Sequence, residues 1–222
     1  MLHFYQPANL NLRSNRSAMH IVVKASAQQK EEFLLKGVPD SVRVSFVHTE
    51  IIQNADVYFD LMFEDDGIAF AEIKDKPVFV NAVIICSDEL PINYIRLNAW
   101  NGFFKRDSIE IVAADSQILN DGIAVLQKLN WKYQMVPDVP GMIAARVIAM
   151  IINEAYFGLG DEISTKAEID IAMKLGTNYP YGPFEWSENI GLQKIYTLLK
   201  KLSKNDSRYA VAPALEKEIH IH

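Results

Sequence analysis

The 222-residue chain contains one cysteine, Cys86, so no disulfide can close within it, and a reducing compartment, the cytoplasm, is the expected setting. Basic charge is not in excess: 22 basic against 28 acidic residues leave a net charge of −6. That argues against nucleic acid or an anionic membrane as the main partner. Long apolar runs are also missing. The greasiest stretch, MIAARVIAMIINEAYFGLG at 142–160, is broken by Arg146 and by Asn153 and Glu154. It falls short of the ~20 apolar residues a membrane span needs, and reads as a buried helix. The first twenty residues lack the apolar segment of a signal peptide. Histidine is scarce: His3, His20 and His48 share no ligand spacing, and His220 and His222 read as a solvated end, so no metal site is expected. DDG at 65–67 lacks the further spaced carboxylates of a cation loop and reads as a turn. Glycine, finally, is absent from 24 to 36, where an apolar run passes into a helix-like stretch and a phosphate-cradling turn would need it.

Half the residues are hydrophobic and 23% are charged, the balance of a chain that buries a core. Residues 1–18 are polar and irregular and read as an arm. Apolar, β-branched runs at 20–23, 42–47 and 57–62 predict strands, followed by 78–85, 94–97, 109–113 and 131–136. Residues 116–129 set Ile118, Leu119, Ile123, Val125, Leu126 and Leu129 on one helical face. Strands alternating with helices predict a largely parallel sheet covered on both sides. At VPDVPG, 136–141, the texture changes, and everything beyond reads helical. The helices are expected at 142–157, from Thr165 to a left-handed stop at Gly176, at 195–202 and at 213–219. Thr165 with Glu168 forms a capping-box pattern.

The segment EIDIAMKLGTNYPYGPFEWSENIGL, 168–192, resembles the C-terminal domain of the 3-hydroxyacyl-CoA dehydrogenase family, where a helix ending in glycine runs into a Gly-Pro-Phe-Glu turn. Pro180 and Pro183 stiffen that turn, and Tyr181, Phe184 and Trp186 supply area to pin it. DVPGMIAARVIAMIINEA, 138–155, is similar to the family's Pro-Gly-Phe-Ile-x-Asn-Arg helix, which ends in Asn-Glu-Ala. RLNAWNGFFKRDSIEIV, 96–112, is similar to its Gly-Leu-His-Phe-Phe-Asn-Pro segment with a downstream Val-Glu-Val. ADVYFDLMFEDD, 55–66, resembles the strand that ends in the family's glutamate near the cofactor, and the chain from 205 onward resembles its Asp-x-Arg-Tyr segment. The likeness covers about 19–214 and is strongest after Val136.

The resemblance implies an α/β fold: a reduced, degenerate Rossmann-like parallel-sheet domain at 19–137, then an all-α dimerisation domain at 138–222. Enzymes of this family oxidise the 3-hydroxyl of an acyl-CoA and pass hydride to NAD, with a histidine base oriented by a glutamate. Carried over residue by residue, the histidine falls on Asn98, the glutamate on Glu110, the next asparagine on Asn101 and the glutamate near the cofactor on Glu64. Gly102 stands where the family has proline. The asparagine after Pro-Gly falls on Ala145, with Arg146 kept, and the serine of Asn-Thr-Ser falls near Val83, with Asn81 kept. An amide is no base, although its N–H donates, so a hydrogen bond between Asn98 and Glu110 is expected. The glycine fingerprint falls on Lys24, Ser26 and Gln29, whose side chains would hold a pyrophosphate off the helix N-terminus. Near the end of the second strand only His48, Thr49 and Glu50 stand where a ribose-binding acid belongs. The expectation is a protein of acyl-CoA metabolism without NAD catalysis and without a cofactor, binding acyl-CoA or acting as a scaffold. It would be a homodimer through the helical domain around 142–157. The alternative is a working NAD-linked oxidoreductase converting 3-hydroxyacyl-CoA to 3-oxoacyl-CoA at a rearranged site. Lys105 and Arg106 are candidates to meet an anionic ligand.

Overall fold

A computed structural model describes residues 18–48 and 52–221. Most of the expected arm, His3, Thr49, Glu50 and His222 lie outside them. The first part of the chain runs β1 (Met19–Lys24), α1 (Ala27–Leu35), β2 (Val42–Val47), β3 (Val57–Asp60), α2 (Phe63–Asp66), β4 (Val78–Asn81), β5 (Tyr94–Leu97), β6 (Ser108–Val112), α3 (Ser116–Lys128) and β7 (Lys132–Met135). The strands form one sheet in the order β2-β1-β3-β4-β5-β6-β7. Every pairing is parallel except β5 with β6.

β1, β3 and β4 are short, apolar and buried on both faces, as strands covered by helices on either side must be. Successive side chains alternate between two cores. Ile21, Val23, Phe59, Phe79 and Ile95 pack under α1 and α3, while Val22, Tyr58, Val80 and Tyr94 face the other way. Phe33 anchors α1 there, its ring edge-on to Phe59 at 5.4 Å and to Trp131 at 4.9 Å. β2 lies to one side of β1 and β3 to the other, which makes the strand ends at Lys24 and Asp60 the switch point where ligands of open α/β sheets bind.

Five helices follow: α4 (Ala144–Gly160), α5 (Lys166–Thr177), α6 (Pro183–Ile190), α7 (Leu192–Ser203) and α8 (Pro213–Ile221). α4 lies at the centre, burying Ala145, Ala149, Ile152 and Tyr156 against Phe184, Ile195, Leu198 and Leu215. The predicted capping box of α5 is present, with Glu168 N–H donating to Thr165 Oγ1 and Thr165 N–H to Glu168.

Three expectations are corrected. Gly176 does not stop α5; the helix continues to Thr177, and Asn178 takes the left-handed conformation at φ 55°, which asparagine tolerates. The Gly-Pro-Phe-Glu stretch is the first turn of α6 and not a free turn. Gly182 is its N-cap and Pro183 its first residue, where a missing N–H costs nothing. From α5, Asp170 accepts from Phe184 N–H at 2.8 Å and from Glu185 N–H at 3.2 Å. A Cβ at position 182 would lie 2.3 Å from the Asp170 carboxylate, so glycine is required. Third, the apolar run at 78–85 is strand only to Asn81, because the N–H groups of Val83 and Ile84 turn toward Glu64. Among the described residues, no helix is long and apolar enough to cross a membrane.

Candidate functional site

The turn after β1 is closed by its own side chains. Ser26 caps α1, accepting from Gln29 N–H at 3.2 Å, while Ser26 N–H donates to Gln29 Oε1 at 3.1 Å. Gln29 is buried, and its amide donates onward to Leu61 O at 2.7 Å and Ala99 O at 3.1 Å. The Gln29 side chain thus lies across the strand ends, stitched to the loops after β3 and β5. Lys24 pairs with Asp66 on α2 at 2.9 Å. Beside the turn, Gln28 reaches from α1 to Asn189 on α6 at 3.0 Å.

The same face of α1 holds the loop that carries Asn98 and Asn101. Glu32, 4% exposed, accepts from Gly102 N–H at 2.6 Å and from Lys105 N–H at 3.2 Å. Lys36 donates to Arg106 O at 2.7 Å, and burial lowers the pKa of its ammonium. Gly102 has φ +86°, far from the −65° that proline fixes. It also gives the N–H that a proline lacks, so the family's proline cannot occupy this loop as built. Asn101 donates to Asn189 O at 2.9 Å, which fastens the loop to the helical half.

Glu64 is sealed. Its Oε1 accepts from Val83 and Ile84 N–H at 2.7 and 2.8 Å, and its Oε2 from the Trp100 indole at 2.6 Å. Burial raises its carboxyl pKa, against these donors and the Lys194 ammonium. Asn81 ties Leu61 O to Ala99 N–H. Arg96 is fully buried; it donates to Ala82 O at 2.9 Å and pairs with Asp138, joining the strand ends to the segment before α4.

β5 and β6 pair Arg96 with Val112 and Leu97 with Ile111, and one further step of that register sets Asn98 opposite Glu110. The expected hydrogen bond between them is not formed. Asn98 Oδ1 accepts from Trp100 N–H at 3.3 Å, and Glu110 Oε1 from Ala144 N–H at 2.9 Å. Asn98 Nδ2 and Glu110 Oε2 are both buried without a partner. Both residues line a small cavity together with Phe103, Arg106, Ser108 and Ile109. The space open to a water's centre there is about 10 Å³.

That cavity adjoins a cleft of about 880 Å³ between the sheet and the helices; Arg106, Ser108 and Glu110 line both. The apolar wall of the cleft is Ile143, Val147, Ile151 and Trp186, and Lys105, Gln134 and Tyr179 are among its polar groups. Lys105 donates to the Tyr181 hydroxyl at 3.2 Å. Ala145 is fully buried against the helical core and does not line the cleft. Arg146 lies over the Tyr209 ring at 5.3 Å. The structure therefore separates the residues expected to act together: Asn98 and Glu110 share a cavity, while Glu64, Asn101 and Ala145 are engaged elsewhere.

Residues 141–220 match the model of the 3-hydroxyacyl-CoA dehydrogenase C-terminal domain. The 3-hydroxyadipyl-CoA dehydrogenase of Escherichia coli K12 is 42% identical over 39% of this chain and 19% of its own length. A probable 3-hydroxybutyryl-CoA dehydrogenase of Deinococcus radiodurans is 31% identical over 76% of this chain and 64% of its own. The chain is similar to 3-hydroxyacyl-CoA dehydrogenases, most clearly over residues 141–220. It spans less than two thirds of either relative. The crystal structure of Mycobacterium tuberculosis FadB2 superposes with a TM-score of 0.71 over 92% of this chain and 94% of that one, at 14% identity, a likeness of fold alone.

Sequence reading anticipated the bulk of Gln29 but not its two carbonyl partners, and it missed Glu32, Trp100 and Asp170. The signal for Glu32 was present in its place three residues after Gln29, on the face that also carries Lys36.

Proposed function

We propose that this chain is a 3-hydroxyacyl-CoA dehydrogenase-family protein that binds an acyl thioester in the cleft beside Glu110 and does not carry out NAD-linked hydride transfer. The observation behind this reading is Gln29. Its side chain is buried at the strand-end turn with all its polar atoms engaged. A dinucleotide does not fit that turn, because close approach of a pyrophosphate to the backbone needs glycine at the second position and free N–H groups at the helix start. The amide at Asn98 supports the same reading, since loss of a well-placed general base costs about 10²–10⁴-fold in rate. The cleft supports the binding half: it is concave, mostly apolar, has a few convergent polar groups, and is within the usual size of small-molecule sites.

The relatives' names favour a second reading, an NAD-linked dehydrogenase acting on a 3-hydroxyacyl-CoA. Purified protein assayed with acetoacetyl-CoA and NADH, alongside calorimetric titration with butyryl-CoA, separates the two. The proposal expects thioester binding without NADH oxidation. NADH consumption that depends on acetoacetyl-CoA would establish the second.

We further infer a homodimer through the helical half. Ile143, Val147, Ile163, Ile171 and Leu175 are all exposed, Leu175 at 83% and Ile163 at 75%, an apolar content that a solvated surface does not ordinarily carry.

A further inference from the structure

We propose that a second pocket, walled by Arg146 and Tyr209 where the connector from the sheet enters the helical half, binds a small molecule carrying a phosphate or carboxylate group. It shares no lining residue with the cleft beside Glu110, and its occupancy is independent of what that cleft takes.

Three segments meet there. Val139 and Pro140 come from the connector, Arg146 from the first turn of α4, Leu202 from the end of α7, and Arg208 and Tyr209 from the turn that follows. Gly141, at φ +79°, turns the connector into the helix, and a Cβ there would stand 3.0 Å from the Arg146 Cβ. The root of the arginine is thereby fixed against the connector, and its guanidinium lies over the Tyr209 ring at 5.3 Å. Arg208 approaches the same ring at 4.8 Å, so two like charges converge on one side chain.

The charges do not balance. Arg208 is paired with Asp206 at 2.9 Å, and Lys201, also in the wall, with Glu89. Among the described residues Arg146 has neither an ion pair nor a hydrogen bond. Its Nε is buried without a partner, whereas its two Nη groups are unbonded but not sealed from solvent. One guanidinium thus lacks a counter-charge, in a chain whose net charge is −6. A concave site with apolar walls, here Val139, Pro140 and Leu202, concentrates such a potential. The Nη groups offer the planar fork that meets two oxygens of a phosphate or carboxylate at once. The volume, about 290 Å³, lies at the lower edge of small-molecule sites. It suits an anion with a short organic part and excludes a dinucleotide.

Titrating the full chain with inorganic phosphate, followed by phosphorus NMR line width, and with labelled acetate, followed by carbon NMR, tests the site. Ionic strength is held constant with sodium chloride. Wild-type protein should bind at least one of them saturably, with a Kd of about 1 mM or below; the tighter of the two identifies the headgroup. Arg146→Met keeps the stem and removes the fork, and should weaken binding about tenfold or more. Arg146→Lys keeps the charge without the fork and should fall between the two. Lys105→Met, in the other cleft, should leave the affinity unchanged. If Arg146→Met fails to fold by circular dichroism, Arg208→Gln at the exposed rim carries the test, because it leaves Asp206 unpaired beside the ligand and should also weaken binding. No saturable binding of either anion, an affinity unmoved in both arginine variants, or one lost in Lys105→Met would overturn the site.

Discussion

Along α1 and its C-cap, Gln29, Glu32 and Lys36 stand three and four residues apart on one face, and each bonds to the loop between β5 and β6. Glu32 is the strongest of these anchors, because a buried carboxylate meets two backbone N–H groups that have no water to replace it. Glu32→Ala should lower stability by about 2–4 kcal/mol, read as the shift in a urea unfolding curve. Glu31→Ala, at an exposed neighbouring position, should stay within about 0.5 kcal/mol of wild type. The base position invites the opposite experiment. Asn98→His puts an imidazole back beside Glu110 but leaves Gln29 across the strand ends. NADH-dependent reduction of acetoacetyl-CoA should therefore stay at background in that variant.

At the scale of elements, the first turn of α1 is capped from within and its inner face holds the loop between β5 and β6. β3 ends in a costly group. Asp60 is fully buried with one carboxylate oxygen on Ala69 N–H and the other unpartnered, and burial pushes its pKa up to about 6 from 3.8. A carboxyl whose pKa is raised in the folded state binds its proton more tightly there than in the unfolded chain. Stability attributable to Asp60 is thus greatest below about pH 4 and falls as pH rises through 6. Asp60→Asn should leave stability near wild type at pH 4 and exceed it at pH 7 by up to about 3 kcal/mol, measured by urea unfolding at both values.

The strands, α3, the α5 capping box and the change to helix after Gly141 were legible in hydrophobic period and turn residues, since those features are local. α6 was not, because its first turn depends on the carboxylate of Asp170 in α5, which accepts from the N–H groups of Phe184 and Glu185, and Gly-Pro alone reads as a corner. The absence of a bond between Asn98 and Glu110 was not legible either. It arises because Trp100 and Ala144 each take one of their atoms, and that competition exists only once β5, β6 and α4 are assembled.

At the scale of the whole molecule, the sheet and the helices are fastened at several points: Gln28 and Asn101 to the α6 residue Asn189, Asp65 to Lys194 at 2.7 Å, and Arg96 to Asp138. The cleft beside Glu110 remains open between them. The exposed apolar residues of α4 and α5 give the proposed dimer a direct test. Leu175→Glu should convert a dimer to a monomer in sedimentation velocity without loss of helical circular dichroism. A monomeric wild type would remove the dimer.

The central claim is that Gln29 stands where a pyrophosphate would have to lie. Titrating the protein with NADH while exciting tryptophan, and following energy transfer to the nicotinamide, tests it most directly. The account predicts only the linear signal of free NADH up to millimolar concentrations. A saturable transfer signal, abolished by excess NAD, would contradict it.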